Sequence, residues 1–287
     1  MKKIICIGEC GLDIIFRDGK PVDSMPGGRI VNAAALLAGM KLPVIMASEA
    51  STDNVGDIVT GFLKDSGVDI SSVDRYPDGR TPITLYFTDN SGLSAVTRYE
   101  QYPDECFDIV WPRVNEGDIV LFGGFYALDR RMRPRITQLL QHCSERKAVL
   151  VYLPGFLPQM EPRITRIMPA ILENLEFANV VIARDADLRL IFGADTENAA
   201  YHNHIDFYCR SLVSVDINNH RISYYSGKEV TSVDIPSDRL QNLSWRAGVV
   251  AGVISALYEL NATPEILDTP PHDIRSKVLA QAAAFRV

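Results

Sequence analysis

The sequence has few cysteines and no long apolar run, and each shortage excludes a class of protein. The five cysteines are widely spaced and include no C-x-x-C pair, which argues against a disulfide framework and against a zinc cluster. We therefore expect a reducing, cytoplasmic environment. No stretch approaches the roughly 18 apolar residues that span a bilayer, so we expect a soluble protein with no membrane partner.

Positive charge falls short of negative charge. The chain has 29 Lys and Arg residues against 36 Asp and Glu residues, which gives a net charge of −7. A protein with this balance and no basic run is not expected to bind nucleic acid. The chain also lacks a G-x-x-x-x-G-K-[ST] loop and a G-x-G-x-x-G after its first apolar run, which argues against a P-loop nucleotidase and a dinucleotide-dependent dehydrogenase.

Short apolar runs alternate with segments of helical periodicity along most of the chain. This alternation predicts an α/β fold with a mainly parallel sheet covered by helices. The predicted strands are residues 4–7, 44–47, 119–122, 148–152, 180–183 and 212–215. The predicted helices are residues 30–39, 55–65, 133–145, 163–175, 185–192, 245–260 and 274–285.

Two β-rich regions interrupt this alternation. Residues 81–99 read as a hairpin with a turn at 89–92, and residues 13–17 could join it in a small separate sheet. A second hairpin is predicted over residues 221–235. Because no internal repeat or low-complexity linker appears, we expect a single domain over residues 1–287.

A double glycine, Gly27 and Gly28, runs directly into a predicted helix whose first turn carries Asn32. Glycine lets a backbone approach a ligand closely, and an amide side chain can both donate to and accept from a hydroxyl-rich molecule. Asp13 precedes this motif, shortly after the first predicted strand. Neighbouring positions carry Gly8-Glu9, Asp53, Gly56 and Gly67-Val68-Asp69. In this order and spacing, the residues resemble the ribokinase-like PfkB carbohydrate kinase family.

The resemblance implies a fold, an activity and a set of sugar-binding residues. The fold would be a doubly wound α/β domain with helices on both faces and a small β lid formed by about residues 13–22 and 80–100. The activity would be phosphoryl transfer from ATP to a sugar or polyol hydroxyl. Asp13 and Asn32 would bond sugar hydroxyls, and Gly27 and Gly28 would let the backbone contact the sugar. Arg98, on the lid, is either a contact for an acidic or phosphorylated sugar or a solvated surface residue.

The residues that would transfer the phosphoryl group are altered. Relatives carry a D-T-x-G-A-G-D motif near the start of the late helix, in which glycine-rich amides hold the phosphate and the last Asp takes a proton. The best alignment places Ala247 at that Asp and Ser244, Trp245 and Arg246 at Gly-Ala-Gly. A methyl group cannot accept a proton, and loss of a positioned base costs on the order of 10² to 10⁴ in rate.

Two further positions depart from the pattern that the resemblance implies. Where relatives show an N-x-x-E motif that helps to place magnesium, this chain has Arg184 at the Asn and keeps an acid only at Asp187. Asp216 stands where relatives have a glycine after a strand. ATP and Mg²⁺ are thus expected from the family, but the residues present argue for weakened binding of both.

These observations predict a sugar kinase relative that is catalytically impaired in this copy. Two alternatives stay open: a non-catalytic sugar-binding sensor or subunit, and an active kinase with a displaced base at Asp238 or Asp187. The resemblance together with an exposed β layer also suggests a homodimer that forms through the lid.

Overall fold

Two β-sheets organise the chain. The computed structural model describes residues 2–89, 92–103, 108–156, 161, 163–236 and 245–285. The strands are β1 (Ile4–Ile7), β2 (Gly11–Arg17), β3 (Lys20–Gly27), β4 (Val44–Ser51), β5 (Asp69–Tyr76), β6 (Arg80–Asp89), β7 (Gly92–Gln101), β8 (Ile119–Gly123), β9 (Val149–Leu153), β10 (Val180–Arg184), β11 (Ser211–Asp216), β12 (Arg221–Ser226) and β13 (Glu229–Asp234). The helices are α1 (Arg29–Gly39), α2 (Asn54–Asp65), α3 (Arg133–Glu145), α4 (Ile164–Phe177), α5 (Asp185–Phe192), α6 (Glu197–Ala200), α7 (Trp245–Glu259), α8 (Pro264–Asp268) and α9 (His272–Ala284).

The larger sheet has nine strands in the order β13-β12-β11-β10-β9-β8-β1-β4-β5. Neighbours from β11 to β5 are parallel, and β12 and β13 extend one edge as an antiparallel hairpin. Every residue of the central strands β1, β8 and β9 is buried. Strands covered on both faces read as continuous apolar runs, which explains why the sequence predicted them.

Helices cover both faces of this sheet, as the predicted fold class requires. In β1, Ile4 and Cys6 contact a core that α1, α7 and α9 complete. The alternate residues Ile5 and Ile7 contact a second core, completed by α3, α4 and α5. The alternation of side chains along a strand therefore divides the interior into two apolar layers. The predicted doubly wound α/β fold is confirmed.

The smaller sheet has four strands in the order β3-β2-β6-β7. Strands β2 and β6 run parallel, and each pairs with its outer neighbour in an antiparallel hairpin. The hairpin predicted over residues 81–99 is found as β6 and β7. The predicted segment 13–17 lies in β2, and the sheet continues beyond it through β3 to Gly27. Strand β3 is mostly exposed and polar at its start, since an edge strand is held by backbone pairing rather than by an apolar face.

Within the described ranges, no helix is long and apolar enough to cross a bilayer. Four of the five cysteines, Cys6, Cys10, Cys143 and Cys209, are described, and each is buried with a free thiol.

Parallel pairing brings the carboxyl ends of β1, β8, β9 and β10 to one edge of the larger sheet. Ligands of open α/β sheets bind at this edge, because loops and helix N-termini converge there. The chain passes from the end of β1 directly into the smaller sheet, and the loops after β9 and β10 reach the same edge. Residues far apart in the sequence are therefore neighbours there.

Candidate functional site

Asp13 lies on β2 in the interior of the smaller sheet. It is in register with Met25 of β3 and Thr84 of β6. Its carboxylate lies so close to Gly27 that a β-carbon at that position would overlap Oδ1. Burial, and after it the negative charge of Glu9, raise the pKa of Asp13 to about 7 against the opposing effect of Arg98. The carboxylate is thus held in a poorly solvated position that suits a hydrogen-bonding ligand.

Gly28 and Asn32 follow at the start of α1. Gly28 precedes the helix with φ of +110°, and a β-carbon there would lie 2.6 Å from the backbone oxygen of Glu9. Only glycine fits this conformation and this contact. Asn32 lies one helical turn later, is half-buried, and its backbone N–H donates to the Gly28 carbonyl at 3.2 Å. The structure therefore places all four predicted sugar-binding positions around the junction of β2, β3 and α1.

Arg98 is part of an internal charge network. Its guanidinium donates to Glu9 at 2.7 Å, to Glu100 at 2.6 Å and to the Thr84 hydroxyl at 3.3 Å. Only 13% of its side chain is exposed, so it is not a solvated surface residue, and its contact with a ligand stays a prediction. Arg98 pairs with Glu9, for which no role was predicted from the sequence.

A second charge network fixes the segment after β7 against the larger sheet. Glu49, at the end of β4, is almost fully buried and pairs with Arg131. The Arg131 guanidinium stacks over the Tyr102 ring at 3.8 Å and lies 3.6 Å from Asp129. Stacking of an arginine on an aromatic ring adds to the charge pairing. The network also contacts Arg98, whose Nη2 donates to the Tyr102 hydroxyl at 3.5 Å.

Asp187, the predicted magnesium ligand, is enclosed by two arginines. Arg29 donates from Nη1 and Nη2 to its two oxygens at 2.9 and 3.1 Å. Arg184 donates from Nε and Nη2 to the same oxygens at 2.7 and 2.6 Å. Burial by itself would raise the pKa of Asp187, but the two guanidinium groups outweigh it and lower the pKa to about 2. The side chain is 3% exposed.

Arg29 crosses from α1 to the loop after β9 to reach this position. Its Nη1 also donates to the Pro154 carbonyl at 3.3 Å. A β-carbon on Gly155 would overlap the Arg29 guanidinium, so glycine there leaves room for it. Arg29 directly follows Gly27 and Gly28 in the sequence, and no role was predicted for it. The feature that could have singled out Arg29 is its place in the first turn of a predicted helix, where a cation opposes the helix dipole.

The start of α7 carries Trp245, Arg246 and Ala247 in its first turn, with no acidic residue there. Ala247 is half-buried. Desolvation and the positive charges of Arg184 and Arg29 lower the pKa of Arg246, while Asp187 opposes them. Ser244 and Asp238 lie outside the described residues.

A small acidic cavity of about 160 Å³ lies beside this group, between the ends of β10 and β11. Asp216 accepts from the Asn219 backbone N–H at 2.9 Å. The charged residues that line the cavity are Asp185, Arg189, Asp195, Glu197 and Asp216. Four carboxylates against one guanidinium disfavour an anionic occupant.

The residues at this edge do not fit a magnesium ion. Both oxygens of Asp187 already accept hydrogen bonds from guanidinium groups, which repel a cation. Over the described parts of the chain, no group of three His, Cys, Asp or Glu residues is arranged to hold a metal.

The buried charge of Asp13 gives a stability prediction. We expect Asp13→Asn to raise the melting temperature at pH 8. The pKa of Asp13 is about 7 in the folded protein against an ordinary value of 3.8, so the folded state binds this proton more tightly. Wild-type stability therefore falls as pH rises from about 4 to 7, and the neutral amide escapes this loss.

Melting curves of the two proteins at pH 5 and pH 8 measure this effect. The gain should be larger at pH 8, and Asp18→Asn, on an exposed turn, should show none. An equal gain at both pH values would contradict the assigned burial of the charge.

Comparisons with known proteins agree with the fold. The model of the family described as pfkB family carbohydrate kinase matches residues 1–206. Comparison with curated protein sequences gives no significant match.

Similar solved structures include aminoimidazole riboside kinase from Salmonella enterica complexed with aminoimidazole riboside and an ATP analog, with 14% identity and a TM-score of 0.80 over 99% of this chain and 92% of that one. Fructokinase from Vibrio cholerae O395, bound to fructose, ADP and calcium, gives the same values. Fructokinase from Xylella fastidiosa is 17% identical with a TM-score of 0.77, over 98% of this chain and 91% of that one.

Proposed function

Because the chain belongs to the pfkB family of carbohydrate kinases, we propose that it binds a carbohydrate at Asp13 but has lost efficient phosphoryl transfer from ATP. The positions of Asp13, Gly27, Gly28 and Asn32 support carbohydrate binding. The observation that carries the loss of transfer is Ala247, which stands in the first turn of α7 where the family motif has its proton acceptor.

The same helix start offers no replacement base among the described residues. Removal of a positioned base typically costs on the order of 10² to 10⁴ in rate. Asp187 is a poor substitute, because a carboxylate with a pKa of about 2 that is bound by two arginines has little tendency to accept a proton. This argues against the displaced-base alternative at Asp187. The alternative at Asp238 is left to experiment.

The surroundings also argue against the ATP and Mg²⁺ that the family uses. The carboxylates at the ends of β10 and β11 repel a polyphosphate, and Asp187 is occupied by arginines rather than open to a metal. Phosphoryl transfer depends mostly on positioning and on charge stabilisation by metal ions and donors. Loss of ATP and Mg²⁺ binding therefore lowers the rate of phosphoryl transfer further, in addition to the loss of the base.

A coupled ADP-release assay with pentoses, hexoses, sugar acids and nucleosides tests the proposal. We expect turnover at least 100-fold below that of an intact family kinase assayed in parallel. Robust turnover by the purified protein would overturn the proposal, and loss of that turnover in Asp238→Asn would establish the displaced base.

Carbohydrate binding without ATP binding would favour the sensor or subunit alternative within the same family. A ligand at about 100 times its Kd stabilises a protein by roughly 2.7 kcal/mol, which a thermal melt detects.

The proposal also includes a cytoplasmic location and a homodimer through the smaller sheet. Size-exclusion chromatography with light scattering decides the oligomeric state.

A further inference from the structure

Arg98 lies on the same face of the smaller sheet as Asp13. Asp13 on β2 is in register with Thr84 on β6, and Thr84 is in register with Arg98 on β7. Side chains in register on neighbouring strands share one face of a sheet. Asp13, Thr84 and Arg98 therefore form one row, and the Arg98 guanidinium lies beside the position at which a carbohydrate would contact Asp13.

The described residues occupy most of the hydrogen-bonding capacity of Arg98. Its Nε donates to Glu100 at 2.6 Å, and its Nη1 donates to the Thr84 hydroxyl at 3.3 Å. Its Nη2 donates to Glu9 at 2.7 Å and, more weakly, to the Tyr102 hydroxyl at 3.5 Å. A guanidinium has five N–H donors, so one N–H, on Nη1, is left without a contact. Bidentate binding of a carboxylate or phosphate uses two parallel donors, and Arg98 does not offer such a pair while these contacts are in place.

The positive charge of Arg98 is balanced within the protein. Glu9 and Glu100 each form an ion pair with it, and Asp13 lies in the same row. When Asp13 is ionised, these four side chains carry three negative charges and one positive charge. This charge balance repels an anionic group of a ligand, and it does not repel a hydroxyl group.

Two further arginines on this side of the molecule are also paired with carboxylates. Arg131 pairs with Glu49 and lies 3.6 Å from Asp129. Arg29 donates to both oxygens of Asp187. The Arg29 side chain is 36% exposed, so an anionic ligand group held by Arg29 is the alternative that the experiment must separate.

Glu9 is the more buried of the two carboxylates that pair with Arg98. Its side chain is 21% exposed, against 38% for Glu100, so solvent screens the charge of Glu9 less. Glu9 lies in the loop between β1 and β2, and its backbone oxygen is the atom that a β-carbon on Gly28 would contact. Towards the described residues, only its Oε2 accepts a hydrogen bond. Its Oε1 is thus left to accept one from a ligand hydroxyl.

We propose that Glu9 determines which charge of carbohydrate the site accepts: by pairing with Arg98, it selects neutral sugars or polyols against sugar acids and sugar phosphates. This inference rests on the proposed carbohydrate binding at Asp13 and narrows its ligand class. An anionic ligand would have to displace Glu9 from Arg98, and a carboxylate that loses its partner in a poorly solvated place is unfavourable. A neutral ligand instead donates hydroxyl hydrogen bonds to Asp13 and to Oε1 of Glu9. The remaining N–H of Arg98 then contacts a hydroxyl oxygen rather than an acid group.

Matched sugars of different charge test this selection in the wild-type protein. The pairs are glucose and glucuronate, galactose and galacturonate, fructose and fructose 6-phosphate, and ribose and ribose 5-phosphate. Isothermal titration at pH 8 and constant ionic strength favours the ionised form of Asp13, whose pKa is about 7. We expect the neutral sugar that binds most tightly to bind at least tenfold more tightly than its anionic partner. An anionic sugar that binds as tightly as its neutral partner would overturn the proposal.

Substitution of Glu9 assigns the selection to one residue. Glu9→Gln keeps the shape of the side chain and removes its charge, so the ratio of the two affinities should shift at least tenfold towards the anionic sugar. Glu100→Gln is the matched control, since it removes the exposed partner of the same arginine, and it should shift the ratio less than about threefold. Adding Arg98→Gln to Glu9→Gln should cancel the shift, because the freed guanidinium is then absent. Equal shifts in Glu9→Gln and Glu100→Gln would contradict the role of Glu9.

The inference and the proposed function fail in different ways. Neutral sugars that do not bind, or that bind equally well to Asp13→Asn, would overturn the carbohydrate site itself. Neutral sugars that bind at Asp13 without discrimination against their anionic partners would overturn only the selection by Glu9. Anionic sugars that bind tightly to wild type and to Glu9→Gln, but weakly to Arg29→Lys, would place the anion at Arg29 and overturn it as well. Efficient ADP release would overturn only the loss of phosphoryl transfer.

Discussion

Replacing Asp187 with alanine is expected to destabilise the protein by about 2 to 3 kcal/mol. Breaking a buried ion pair by removing one partner typically costs about 3 to 5 kcal/mol. Partial exposure of Arg29 and Arg184 lets solvent screen part of this cost. For a chain of this size, we expect the melting temperature to fall by roughly 4 to 12 °C. Thermal melts at low ionic strength measure the effect.

The pH dependence identifies the cause. The pKa of Asp187 is about 2 in the folded protein against an ordinary 3.8, so its stabilising effect is present above pH 4 and is lost as pH falls towards 2. The difference between wild type and Asp187→Ala should shrink over that window. Asp57→Ala, whose carboxylate pairs on the surface with Arg75, is the matched control and should cost under about 1 kcal/mol.

An unchanged melting temperature in Asp187→Ala would contradict the assigned network. It would mean that leaving Arg29 and Arg184 without their shared carboxylate costs less than their burial indicates.

Restoring the missing carboxylate with Ala247→Asp is expected to raise ATP-dependent turnover by less than tenfold. In an intact site, a positioned base contributes on the order of 10² to 10⁴. Here the residues aligned with the phosphate-holding amides are Ser244, Trp245 and Arg246, and loss of one such donor costs a further 10² to 10³. The new carboxylate would also lie beside Arg246, whose charge lowers its basicity.

Rebuilding the whole motif tests whether these losses act as one unit. The quadruple variant combines Ser244→Gly, Trp245→Ala, Arg246→Gly and Ala247→Asp. Its turnover should exceed that of Ala247→Asp, because the effects of catalytic groups that act together are not additive. Ala247→Asn controls for size without a base. Full recovery in Ala247→Asp alone, measured by coupled ADP release, would show that the phosphate-holding turn is intact.

Regular elements could be predicted where the residues themselves carry the signal. The bounds of α3 and α5 match the predicted helices, and β1 matches residues 4–7, because buried elements repeat apolar residues at the period of the structure. Strands β3 and β5 were missed. Both are edge strands whose polar residues tolerate exposure, and their pairing partners are not readable from local sequence.

For the same reason, the sequence predicted the residues of the site that are close together in the chain and missed their distant partners. Asp13, Gly27, Gly28 and Asn32 form a local motif, and the structure places them together at one junction. Arg98 was predicted as either a ligand contact or a solvated residue. Its ion pairs with Glu9 and Glu100 contradict the solvated alternative, and the ligand contact stays a prediction. Asp187 was predicted as a metal ligand, and its partner Arg29 stands 158 positions away.

The amino-acid sequence by itself determined the layered α/β architecture, the family resemblance and the absence of a carboxylate at position 247. These follow from local periodicity and from motif residues that are neighbours in the chain. Only the tertiary structure decided that Arg29 and Arg184 enclose Asp187. Parallel strands bring their carboxyl ends to one edge regardless of separation along the chain, so the charges that meet there are set by packing and not by sequence spacing.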